Sequence, residues 1–125
     1  MEKKDWNVLL VDDEHEFVTT LSERLALRGI ASRVAFDGES ALREVAESPP
    51  HLVILDVMLP GMKGLDVLRG IKAGYPDTRV ILLTGHGTTK NGIEGMKLGA
   101  FDYMIKPLDI DVLIEKMNDA MGGGR

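Results

Sequence analysis

Val8-Leu9-Leu10-Val11 runs straight into Asp12-Asp13: four aliphatic residues without polar alternation, closed by two carboxylates. The pattern returns as Leu52-Val53-Ile54-Leu55 closed by Asp56, and as Val80-Ile81-Leu82-Leu83 closed by Thr84-Gly85. A strand with one wet face alternates apolar and polar residues. A strand apolar at every position is covered on both faces, as in a parallel sheet between two helical layers. Two weaker runs, Ala31 to Ala35 and Asp102 to Ile105, fit the same sheet.

Between the runs the period becomes helical. Phe17, Leu21 and Leu25 fall four apart, with Gly29 where a helix C-cap belongs. Ala41, Leu42, Val45 and Ala46 form a second stripe, and Leu65, Leu68 and Ile71 a third. Ile110, Leu113, Ile114, Met117 and Met121 form the last. This spacing makes Met117 and Met121 core residues and not a partner-binding groove. Prolines 49, 50, 60, 76 and 107 all fall in the joints, where a missing N–H does least harm. The pattern predicts five strand–helix units, a doubly wound α/β (βα)5 domain in three layers. One helix, Lys90 to Leu98, carries Gly92 and Gly95. Each interior glycine costs a helix about 1 kcal/mol relative to alanine, so this element is expected to be the softest.

The 125 residues suffice for one domain, expected over 1–121 with 122–125 as a tail or the start of a linker. Fifteen Lys and Arg against twenty Asp and Glu leave a net charge of -5, which argues against direct nucleic-acid binding or an anionic membrane surface. Zero cysteines exclude disulfides, thiolate zinc sites and a cysteine nucleophile. The longest aliphatic runs are four residues, whereas a helical span needs about 18 or more. Residues 1–6 lack the apolar stretch of a secretory signal, so a cytoplasmic location is expected.

In an open parallel sheet, ligands bind beyond the carboxyl ends of the strands. Asp12, Asp13, Asp56, Thr84 and Lys106 each occupy such an end, so three carboxylates, a hydroxyl and an ammonium are expected to converge. Carboxylates so close repel, and a divalent cation compensates. Magnesium suits an all-oxygen set and keeps waters that a phosphate can replace. Glu14 and Asp37 lie where helices begin and read as N-caps. Asp56 does not, because it follows an all-apolar strand directly. His15 opens a helix and reads as solvated rather than as a ligand, and His51 as carrying no chemistry.

These stretches resemble the receiver domain of two-component response regulators. The resemblance rests on Val8 to Glu14, on Leu52 to Asp56 with Met58-Leu59-Pro60-Gly61-Met62, on Val80 to Gly85, and on Gly99 to Pro107, all in family order and spacing. The wording around Thr84-Gly85-His86-Gly87 and Phe101-Asp102-Tyr103 is most similar to receivers of the nitrogen-regulator type. The resemblance implies a chemotaxis-regulator-like, flavodoxin-like fold with strand order 2-1-3-4-5. It implies that Asp56 is the phosphoacceptor, taking a phosphoryl group from a sensor histidine kinase or phosphotransfer protein. It further implies that Asp12, Asp13, Asp56 and the Met58 carbonyl hold Mg2+, and that Lys106 and Thr84 contact the phosphoryl oxygens. Thr84 and Tyr103 would form the switch, although Tyr103 also reads as a half-buried edge aromatic. A cis bond would precede Pro107, and Met58 and His86 would tune the phosphoryl lifetime. Such a domain is no enzyme beyond its own phosphorylation and slow autodephosphorylation. A face over 90–121 is the expected homodimer or target surface. Lys63 departs from the acidic or amide residue many relatives carry there.

Three rivals share parts of this pattern. A magnesium-dependent aspartyl phosphohydrolase needs an acid two residues after its nucleophile, where this chain has Met58. A flavodoxin-like cofactor binder needs a Gly/Ser-rich loop after the first strand, where Asp12-Asp13 stands. A non-phosphorylated pseudo-receiver would not need the full set of five. The input signal, cognate kinase and output are not written in these residues.

Overall fold

The computed structural model describes residues 1–85 and 89–122. After a 3-10 turn at Lys3–Asp5, strands and helices alternate. They are β1 (Val8–Val11), α1 (His15–Ala26), β2 (Ser32–Ala35), α2 (Gly38–Glu47), β3 (Leu52–Asp56), α3 (Gly64–Gly74), β4 (Arg79–Thr84), α4 (Thr89–Lys97), β5 (Asp102–Ile105) and α5 (Ile110–Ala120). All strand pairs are parallel, in the order β2-β1-β3-β4-β5, so the expected doubly wound architecture is the one observed.

The aliphatic runs divide their side chains between two cores. Val8, Leu10, Ile54, Ile81 and Leu83 face one layer, where they meet Leu21 and Leu25 of α1 and Leu113 and Met117 of α5. Leu9, Val11, Val53, Leu55, Val80 and Leu82 face the other, against Val45 of α2 and Val67, Leu68 and Ile71 of α3. This two-sided burial is why no polar residue interrupts the strands. Each fully buried Leu or Ile contributes about 1.5–3 kcal/mol, so the central strands anchor the domain. Ala46, expected on the buried stripe of α2, is exposed, and that stripe is completed by Ala41 and Val45 with Leu42 at its margin.

Helix ends follow local chemistry. Gly29 takes a φ of 81° just beyond α1, and Ile30 N–H donates back to the Leu25 carbonyl. Asp37 caps α2 by accepting from the Ser40 N–H at 2.7 Å, a bond that holds its carboxyl below the ordinary value. Glu14 occupies the N-cap position of α1, but its side chain caps nothing.

The glycines of α4 have a packing reason that composition alone hides. A Cβ on Gly95 would run into Leu82 Cδ1, and one on Gly92 would lie 2.6 Å from the Tyr103 ring. The helix thus turns its glycines to the sheet and leaves Ile93 and Met96 exposed.

Two substitutions should therefore move stability in opposite directions. Gly95→Ala should lower it by about 1–3 kcal/mol, because overpacking against Leu82 outweighs the better helix propensity. Gly74→Ala, at an exposed helix end with nothing within 4 Å, should raise it by about 0.5–1 kcal/mol. Urea unfolding of both variants checks the signs, and stabilisation by Gly95→Ala would contradict the close helix–sheet contact.

Candidate functional site

The sheet register lines the polar groups up along one edge. Val11 pairs with Leu55, Asp56 with Leu83, and Thr84 with Ile105. Asp12, Asp56, Thr84 and Lys106 therefore emerge side by side at the carboxyl ends of β1, β3, β4 and β5. Asp12, Asp56 and Thr84 are buried, while Asp13 is exposed at the rim. Asp12, Asp13 and Asp56 each present a carboxylate oxygen within 4.8 Å of the other two. They form an all-oxygen donor set of the kind a hard divalent cation takes.

Lys106 Nζ lies among the acids. It donates to Asp12 Oδ2 at 2.8 Å, to Glu14 Oε1 at 2.9 Å and to Asp56 Oδ2 at 3.3 Å. It also sits 4.5 Å from the centroid of the Phe17 ring. Burial alone would lower the Lys106 pKa. The bonds to Asp12 and Glu14 and the charges of Asp56 and Asp12 outweigh that effect and hold the ammonium above its ordinary range.

Asp56 carries the opposite balance. Burial raises its pKa most; the Met58 N–H, donating to Oδ1 at 3.1 Å, opposes this; the charge of Asp12 adds to the rise and Lys106 opposes it. The net result is a carboxyl pushed up to about 6 from 3.8. The loop after β3 is pressed onto this residue by Gly64. A Cβ there would meet the Asp56 carbonyl oxygen and Val57 Cα at 2.5 Å, and the Gly64 N–H donates to the Val57 carbonyl.

The remaining expected residues fall as follows. Thr84 Oγ1 donates to the Met104 carbonyl at 3.3 Å. The half-buried Tyr103 lays its ring against Gly92. The Lys106–Pro107 peptide is cis. Met58 exposes its side chain, and His86 lies outside the described residues. His15 is exposed, as expected, but stacks on Phe36 with centroids 3.8 Å apart. His51 Nδ1 accepts from the Asn7 N–H, a structural bond far from the acids. The sequence reading missed Glu14 and Phe17. Glu14 stands at the N-cap of α1 and Phe17 in its first turn, and both are brought against Lys106 only by the fold.

The fold and the acidic edge together are those of a receiver-type domain. Residues 8–118 match the response regulator receiver domain, and the chain belongs to that family. It is 40% identical over 110 residues to a putative NtrX-like response regulator of Rickettsia bellii, covering 86% of this chain and 23% of that protein. It is 37% identical to the regulatory protein AtoC of Escherichia coli, covering 85% of this chain and 23% of AtoC. The chain thus spans about a quarter of the length of these curated relatives. The crystal structure of the receiver domain of NtrX from Brucella abortus superposes with a TM-score of 0.88 at 34% identity, over 92% of this chain and 98% of that one. No helix among the described residues is long and apolar enough to cross a membrane.

Burial of Asp56 couples its protonation to folding stability. Between about pH 4 and 6 the folded protein keeps a proton that the unfolded chain has lost, so stability falls as pH rises through this window. Neutralising the side chain should remove that loss. In chelator at neutral pH, Asp56→Asn should be more stable than wild type by on the order of 2 kcal/mol, with the gap closing toward about pH 4. A lower melting temperature for Asp56→Asn at neutral pH would contradict the burial of a charged Asp56.

Proposed function

We propose that Asp56 of this receiver domain accepts a phosphoryl group from a phosphohistidine of a sensor kinase or phosphotransfer protein in the cytoplasm. The observation that carries the reading is the state of Asp56. It is a buried carboxylate at the end of a central strand, with Oδ1 held by the Met58 N–H and Oδ2 3.3 Å from the Lys106 ammonium. A carboxylate oxygen attacks phosphorus as the P–N bond to the histidine breaks, and the ring, already protonated on its other nitrogen, leaves as neutral imidazole. Lys106 stabilises charge on the phosphoryl oxygens, with its ammonium fixed before the reaction. Asp12, Asp13, Asp56 and the Met58 carbonyl would hold Mg2+, which supplies positive charge to the same oxygens. The Thr84 hydroxyl would exchange the long bond to the Met104 carbonyl for a phosphoryl oxygen, and Tyr103 would leave its place against Gly92.

A cleft of about 310 Å³ beside Lys106, lined by Phe17, Leu21, Arg24, Pro107 and Leu108, supports docking of the phosphodonor protein there. On the 90–121 face, Ile93, Met96, Ile105 and Val112 are exposed apolar residues, which supports that face as the homodimer surface of the phosphorylated state.

Incubation with magnesium and acetyl phosphate should add one hydroxylamine-labile phosphoryl group, seen by intact mass, to wild type and none to Asp56→Asn. Equal modification of Asp56→Asn would place the acceptor elsewhere. Sedimentation of the phosphorylated protein should show a dimer that Ile93→Asp abolishes. A phosphorylated protein that stays monomeric at every concentration would overturn the surface assignment.

A further inference from the structure

Lys106 is held from two directions, and only one of them belongs to the acidic cluster. An ammonium has three N–H donors, and three carboxylates take them all: Asp12 at 2.8 Å, Glu14 at 2.9 Å and Asp56 at 3.3 Å. The bond to Asp56, the group that is to react, is the longest. The ammonium is therefore located mainly by Asp12 and by the α1 side, where Glu14 and the Phe17 ring flank it. Glu14 is largely exposed, so its ion pair is screened and contributes little alone. Phe17 is half-buried and presents the negative face of its ring at 4.5 Å. An aromatic face attracts the charge through its quadrupole and uses up no lone pair of the catalytic acids.

Resting on the reading of Asp56 as phosphoacceptor, we propose that Phe17 is a positioning residue for phosphoryl transfer, with Glu14 as its lesser partner. The two form a seat on α1 that keeps Lys106 from closing onto Asp56. An ammonium paired tightly with Asp56 Oδ2 would mask an oxygen of the nucleophile and spend the donor needed by the incoming phosphoryl oxygen. Held at 3.3 Å by the seat, Lys106 leaves Asp56 free to attack and keeps a donor that can transfer from Asp56 to the phosphoryl group. Phe17 thus acts through Lys106 and touches no reacting atom.

The test varies the ring's charge distribution without changing its shape. In the full chain, Phe17 is replaced by phenylalanines carrying one, two, three or five fluorines, and by Tyr and Leu. The phosphorylation rate with acetyl phosphate and saturating magnesium is read by intact mass. A second readout in chelator, independent of turnover, is the ring-current shift of the Lys106 Hε protons by NMR. The rate should fall stepwise with fluorination, by roughly three- to tenfold in total, and equally in Phe17→Leu, while Phe17→Tyr restores it. Glu14→Gln should fall by less. The upfield Hε shift should be present in wild type and Phe17→Tyr and absent in Phe17→Leu.

A rate indifferent to fluorination, or an unshifted Lys106 Hε in wild type, would overturn the seat while leaving Asp56 as acceptor. Wild type that takes no phosphoryl group, or an Asp56→Asn variant that takes one, would instead overturn the reading beneath it. Melting temperatures across the fluorinated series should stay together, which separates positioning from loss of fold.

Discussion

The ammonium of Lys106 is the charge on which the carboxyl edge of the sheet depends. Asp12 and Asp56 are 1% and 4% exposed, and with Asp13 their oxygens crowd within 4.8 Å. Two unit charges at that separation repel by roughly 3 kcal/mol at an effective dielectric near 20. Lys106 answers that repulsion with bonds to Asp12, Glu14 and Asp56. Removing the cation from such a cluster leaves buried charge uncompensated, a loss of about 3–5 kcal/mol in comparable cases. The cluster remains poised even so, since Asp56 still titrates well above an ordinary carboxyl. This is crowded negative charge that a divalent cation would relieve.

That constraint explains much of the architecture. Four strand ends must deliver their side chains to one place, and the parallel register from Val11↔Leu55 through Asp56↔Leu83 to Thr84↔Ile105 does so. The two hydrophobic cores pack the strands on both faces. In the proposed switch, a change at Asp56 would be felt on the β4–β5 side. There Thr84 holds the Met104 carbonyl, and the Tyr103 ring rests on Gly92 of α4.

The strands were legible because Val8 to Val11 and Leu52 to Leu55 are short, apolar throughout, closed by polar residues and separated by helical stripes, which together fit a sheet covered on both faces. The clustering was legible because Asp12, Asp56, Thr84 and Lys106 each stand one step beyond a strand run and Asp13 two. For the α4 glycines, propensity registers their cost but not the closeness of Leu82 and Tyr103 that requires them. Glu14 and Phe17 were passed over because each had an ordinary local explanation, an N-cap and a core stripe. The partner that gives them another role, Lys106, lies about ninety residues away and is brought near only by the fold. Long-range pairs of this kind leave no mark in local periodicity.

Asp56 is thus a buried carboxylate held in balance between the acids and Lys106. A pH titration of the metal-free protein, followed by NMR at the Asp56 carboxyl carbon, reads that balance. The carboxyl should titrate near 6, and higher still in Lys106→Met, because the ammonium lowers it. Titration near 3.8 in wild type, or no rise in Lys106→Met, would contradict the account.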